Sequence, residues 1–110
     1  MLIATLALAM MVQSPTAKVD TSRVAFTKCL NAHLVKSLDD KVSPSEFEMG
    51  LKSVCATERA AFRDAVVALN RSSGDSQADA AENADMQVED YHANFNEKFK
   101  DYSESGTKPG

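Results

Sequence analysis

Two cysteines, Cys29 and Cys55, flank the stretch Ser43-Pro44-Ser45-Glu46, and this arrangement constrains the chain more than anything else in it. The Ser43 hydroxyl can accept a free backbone N–H from the first turn of a helix. Pro44 suits the first helical position, where no N–H is needed and φ is already helical. Glu46, three residues past the cap, predicts a capping box in which its carboxylate reaches back to the Ser43 N–H. Val42 and Phe47 stand at the two places of a hydrophobic staple. Pro44 also disfavours helical backbone at Ser43, so a preceding helix must end there.

Cys29 lies thirteen residues before position 42 and Cys55 thirteen after it. If two antiparallel helices meet at this corner, residues equidistant from it are level and the thiols face each other. The expected result is a helical hairpin stapled by one disulfide. Closing a loop of about 27 residues contributes roughly 3.5 kcal/mol on the chain-entropy estimate. Two buried free thiols are the alternative, since cysteine also serves as a small core residue. No C-x-x-C spacing is present, so neither structural zinc nor thiol exchange is indicated.

Residues 2–12 contain a single polar residue, Thr5, and are followed by Gln13-Ser14-Pro15-Thr16-Ala17. This pattern reads as a secretory signal spanning 1–17, cleaved after Ala17. Eleven apolar residues fall short of the about 20 that a membrane-crossing helix needs. No Lys or Arg precedes the run, and Pro15 occupies a place where a small residue is usual. An uncleaved segment tethering a structural envelope protein to the membrane is therefore the second reading. An even cysteine count fits an oxidising compartment. The expected location is accordingly exported, either periplasmic or secreted from a bacterial envelope.

The remaining residues 18–104 predict one domain of three helices, at about 21–40, 44–71 and 75–102, followed by a flexible tail at 105–110. Phe26, Leu30, Leu34 and Leu38 recur every four residues, with Ala25 and Cys29 beside them. In the second segment the stripe is Phe47, Leu51, Val54, Glu58, Phe62, Ala65 and Leu69, a heptad-like seam. Gly50 interrupts it without evident reason, unless the first helix approaches closely. Ser72-Ser73-Gly74 supplies a C-cap signal, and Asp75 or Ser76 can cap the third helix. There the seam is Ala81, Ala84, Val88, Tyr91, Phe95, Phe99 and Tyr102. Its small residues would oppose Phe62 and Leu69, and its large ones Phe47 and Leu51. An all-α, antiparallel up-down-up bundle follows.

Among residues able to carry chemistry, Glu58 occupies a seam position, where a carboxylate must be paired or its pKa rises. Tyr91 and Arg23 are its expected neighbours, and a structural role is favoured over a functional one. His33 falls on the apolar face of the first helix, where a hydrogen-bonded core histidine is the ordinary outcome. Asp85, Glu89 and His92 share one side of the third helix and could present two carboxylates and an imidazole to a divalent cation. No second helical histidine or H-E-x-x-H motif accompanies them. Serine-nucleophile, phosphate-loop and dinucleotide motifs are missing, and no cofactor is implied. A three-helix domain of this size also leaves little room for a ligand pocket of several hundred cubic ångströms.

Charge bears on the partner. Residues 18–71 carry nine Lys/Arg and seven Asp/Glu; residues 72–104 carry two Lys and nine acids, and Lys108 completes a total of −4. An acidic chain of this kind lacks the clustered positive charge that nucleic acid requires. The leading reading is a non-enzymatic exported module, an adaptor, inhibitor or small chaperone, whose acidic third helix attracts a protein partner through its field. A weak divalent-cation binder acting through Asp85, Glu89 and His92 is the third reading. Oligomeric state is left open, because a heptad seam serves a bundle and a dimer equally well.

Overall fold

The structure, a computed structural model, describes residues 14–109. The apolar run at 2–12, and with it most of the expected signal segment, lies outside the described residues. Those described form a helical bundle of four helices with no strand: α1 (Pro15–Asp39), α2 (Pro44–Val54), α3 (Ala56–Ser72) and α4 (Gln77–Ser105). No helix among them is long and apolar enough to cross a membrane. The first helix begins earlier than the sequence predicts, because Ser14 acts as its cap and accepts a hydrogen bond from the Ala17 N–H at 3.2 Å. Pro15 then takes the first helical position, as Pro44 does in α2.

At the Ser43 corner the hydroxyl oxygen accepts from the Glu46 N–H at 3.2 Å. The reciprocal half of the expected box differs. The Glu46 carboxylate receives a hydrogen bond from the Ser43 hydroxyl at 3.3 Å, not from its backbone N–H. Before the corner, α1 closes by a Schellman arrangement, with Lys41 N–H donating to the Leu38 carbonyl and Val42 N–H to that of Ser37. Lys41 takes the left-handed conformation there, at φ 52°. The same pattern ends α3, where Gly74 holds the left-handed position at φ 103° and Asp75 N–H donates to the Asn70 carbonyl. Ser76 caps α4 by accepting from the Asp79 N–H at 3.1 Å. That helix runs to Ser105, and beyond Gly106 the Lys108 ammonium pairs with Asp39 at the end of α1.

The expected single helix over 44–71 is broken. Cys55, with φ −112° and ψ 35°, leaves helical geometry between α2 and α3. Neither Gly nor Pro lies at 54–56 to cause this by propensity. The irregularity falls where the chain is tied to α1 by the Cys29–Cys55 disulfide, whose Cα atoms are 6.0 Å apart. Arg59 offsets part of the interruption by donating to the Lys52 carbonyl at the end of α2. The break also explains why Val54, expected in the seam, is 51% exposed.

Helix α1 packs mainly on α3, α3 on α4, and α2 on both α4 and α1. The core is built around Phe26, Phe47, Phe62 and Phe99, joined by Leu30, Leu34, Leu51 and Val66. The Phe47 ring stacks on Phe99 at 4.4 Å and on His33 at 5.0 Å, so three rings link α4, α2 and α1. On α4 the buried face is Ala80, Ala84, Val88, His92, Phe95 and Phe99. Ala81, Tyr91 and Tyr102, expected to fill it, are half-buried at its edges.

Gly50 has a clear purpose. A Cβ there would lie 2.5 Å from His33 Cε1 and 2.6 Å from Nε2. Gly50→Ala in a helix interior normally gains about 1 kcal/mol. Here the ring must leave, losing its stack and its bond to the Phe47 carbonyl, so the substitution should cost about 1–2 kcal/mol as overpacking. Adding His33→Ala should restore the normal sign. Denaturant unfolding of the wild type, both single variants and the double variant measures this; a stabilised Gly50→Ala single variant would contradict the close approach.

Candidate functional site

The side chains with most chemistry gather where the end of α2 and the first two turns of α3 face α4. Lys52 comes from the last turn of α2, while Arg59 and Arg63 stand one turn apart on α3. Opposite them, Asp85, Glu89 and His92 descend one side of α4, as their spacing in the sequence predicts. With Ala60 and Val88 these six line an open cleft of about 560 Å³. That volume is more than the little room expected of so small a domain, and it is open to the surface. The cleft is bounded by long side chains at the surface and reaches in to the edge of the core at Val88 and His92.

Arg63 Nε donates to Asp85 Oδ1 at 2.6 Å. The Arg63 guanidinium holds the Asp85 carboxyl below the ordinary carboxylate range, chiefly through this hydrogen bond, and Asp85 raises the guanidinium in return. Asp85 is largely exposed and Arg63 half-buried, so solvent screens the pair and it adds little to stability.

His92 is different. It is 5% exposed, and neither ring nitrogen has a hydrogen-bond partner among the described residues. Its ring meets Phe26 of α1 edge-on, with centroids 6.0 Å apart. Burial pushes its pKa down; Glu89 on its own helix opposes this, while Arg59 on α3 and Lys52 on α2 reinforce it. The group facing it from α1 is the uncharged Phe26 ring.

The folded state thus holds this imidazole neutral at pH values where the unfolded chain already binds a proton. Its neutral form contributes fully above the unfolded imidazole value of about 6.5, and stability is lost as pH falls below that value toward the lower folded pKa. His92→Phe should flatten the dependence of unfolding free energy on pH in this window, as read by urea melts at a series of pH values. An equal slope in wild type and variant would assign the dependence elsewhere.

For a cation, this arrangement is poorly matched. Asp85 is already paired, and three cationic side chains face the Asp85, Glu89 and His92 trio. Among the described residues, the one set of three groups whose ligand atoms all lie within 4.8 Å of one another is Cys29, Cys55 and Glu58. Its two sulfurs are joined in the disulfide and so are not the thiolates that bind metals.

No protein family, curated protein or solved structure matches this chain. The remaining candidates are therefore placed by geometry alone. Glu58 is half-buried beside the disulfide, in the first turn of α3, with no hydrogen bond or ion pair among the described residues. Its expected neighbours are engaged elsewhere: Arg23 pairs with Asp20, and the Tyr91 ring packs edge-on against Phe26 and Phe62. The break at Cys55 is the reason, since it makes Glu58 a helix-start residue. A carboxylate there is favoured by the helix dipole, and Cys55 supplies no side-chain cap.

His33 donates from Nε2 to the Phe47 carbonyl at 3.3 Å and stacks on the Phe47 ring, a structural role well accounted for. His92 as a buried residue was missed by sequence reasoning. The available signal was its place four residues after Val88 and three before Phe95, which Tyr91 satisfies almost equally well.

Proposed function

We propose that this protein is an exported, non-enzymatic interaction module in which a disulfide-stapled antiparallel hairpin, α1 against α2 and α3, is completed by α4 running up the bundle again. The contacts Phe26–Phe62, His33–Phe47, Phe47–Phe99 and Phe62–Tyr91 support this up-down-up order, because each joins residues on either side of an intervening turn, within about one and a half helical turns of the same level. The apolar run at 2–12 and the cysteine pair support export through a signal segment.

The observation that carries the binding role lies on the outer face of α4. Met86 is 58% exposed, and the exposed carboxylates of Glu82, Asp85, Glu89 and Asp90 surround it. A flexible apolar side chain ringed by negative charge suits a basic protein segment, which is drawn in by the field and then packs on the methionine. Affinity capture from an envelope extract of the native host should recover a basic protein on the wild type. The same protein should be lost on a Glu82→Lys/Met86→Lys/Asp90→Lys variant that retains its helicity. Equal recovery on both, or recovery of nothing basic, would count against this reading.

A further inference from the structure

The cleft between α2, α3 and α4 has features that a protein-docking face on the outside of α4 does not require. His92 is the first. A neutral imidazole carries one donor and one acceptor nitrogen, and both are buried here without a partner among the described residues. Leaving such groups unpaired is costly, and because His92 lines the cleft, a small turn of its ring would let a polar atom bound there relieve the cost. The second feature is the charge at the mouth. Lys52 and Arg59 form no ion pair among the described residues, whereas Arg63 is neutralised by Asp85. Arg59 spends one guanidinium nitrogen on the Lys52 carbonyl and keeps its others free. Two available cations border a buried unsatisfied imidazole, in a chain whose net charge is −4.

We propose that this cleft binds a small monoanionic carboxylate, with its oxygens on Lys52 and Arg59 and the buried His92 ring as a further hydrogen-bond donor. Glu89 lines the same wall and repels a second negative charge, which disfavours a phosphate dianion. It would also attract the ammonium of a zwitterion, so a free amino acid fits as well as a simple acid. Ala60 and Val88 offer a short aliphatic body an apolar surface. Asp85 and Glu89 border both this cleft and the outer face of α4, but Lys52, Arg59 and His92 belong to the cleft alone.

The chain has two histidines, and His33 on α1 beside Phe47 serves as an internal control. The test follows both Cε1–H resonances by NMR at about pH 7.5, above the ordinary imidazole range. Acetate, glycine and inorganic phosphate are titrated separately against sodium chloride of equal ionic strength. Acetate and glycine should move the His92 resonance saturably and leave His33 in place, with phosphate binding more weakly. Lys52→Gln, and separately Lys52→Gln with Arg59→Gln, should weaken binding, the double variant by about tenfold or more for loss of charge-assisted contacts. Lys52→Gln leaves the Arg59 contact to the α2 terminus in place, so it reports even if the double variant unfolds. No saturable His92 shift, a parallel shift at His33, phosphate binding as tightly as acetate, or unchanged affinity in Lys52→Gln would each overturn the proposal.

Discussion

Reducing the Cys29–Cys55 disulfide should lower the unfolding free energy by roughly 3.5 kcal/mol and the melting temperature by roughly 10–20 °C. The two cysteines are 26 residues apart, so the cross-link removes a large set of unfolded conformations. Reduction is a cleaner test than mutation. Cys55 is fully buried, and replacing it with serine would add the cost of an unsatisfied hydroxyl to the loss of the bond. A domain this small has about 5–15 kcal/mol of net stability, so the loss is a large fraction of the whole. The measurement is urea unfolding with and without a dithiol reductant, with free thiols counted to prove reduction. An unchanged midpoint in the fully reduced protein would mean that core packing alone holds α1 to its neighbours.

What the sequence reveals and what it hides divide along a physical line. The corner at Ser43-Pro44 was legible because every signal for it is local: a hydroxyl, a missing N–H and a carboxylate within four residues. The α1 core face was legible for a similar reason, as Phe26, Leu30 and Leu34 repeat at the helical period and are buried together. The break at Cys55 was not, because nothing local causes it and a bond to a distant residue coincides with it. Lys41 in the left-handed region was equally hidden, since no glycine announces it as Gly74 does after α3. Adjacent residues on a helix are about 100° apart, so Tyr91 and His92 both border the α4 stripe. Both rings meet Phe26 edge-on, and it is the packing of α4 on the other helices, not spacing within α4, that buries His92 and leaves Tyr91 half-buried.

The candidate site divides in the same way. The alignment of Asp85, Glu89 and His92 follows from their spacing on one helix. The cations facing them depend on how α2 and α3 pack, which no spacing within α4 encodes. Seen alone, the three α4 residues resemble a weak cation site. With Lys52, Arg59 and Arg63 opposite, the same residues belong to a cleft of mixed charge in which cationic groups outnumber carboxylates.

Phe26 is where the fold and the cleft are joined, and Phe26→Ala should destabilise the protein by about 3–5 kcal/mol. Its side chain is 0% exposed and contacts three other aromatic rings: Phe62 at 5.7 Å on α3, and Tyr91 at 5.8 Å and His92 at 6.0 Å on α4. Removing it opens a void that three helices would have to collapse to fill, while the helical break and the disulfide limit that collapse. Val24→Ala is the control. It lies one half-turn away on the same helix and is 64% exposed, so it should change stability by no more than about 0.5 kcal/mol. The truncation should also admit water to the His92 ring, lessening the desolvation that depresses its pKa and moving the imidazole back up toward its ordinary value. Denaturant unfolding and an NMR titration of His92 in Phe26→Ala read the two effects separately. A large stability loss with an unmoved His92 would mean that the walls close over the void and keep the imidazole dry; a raised pKa with little stability loss would mean that Phe26 shields the cleft without anchoring the bundle.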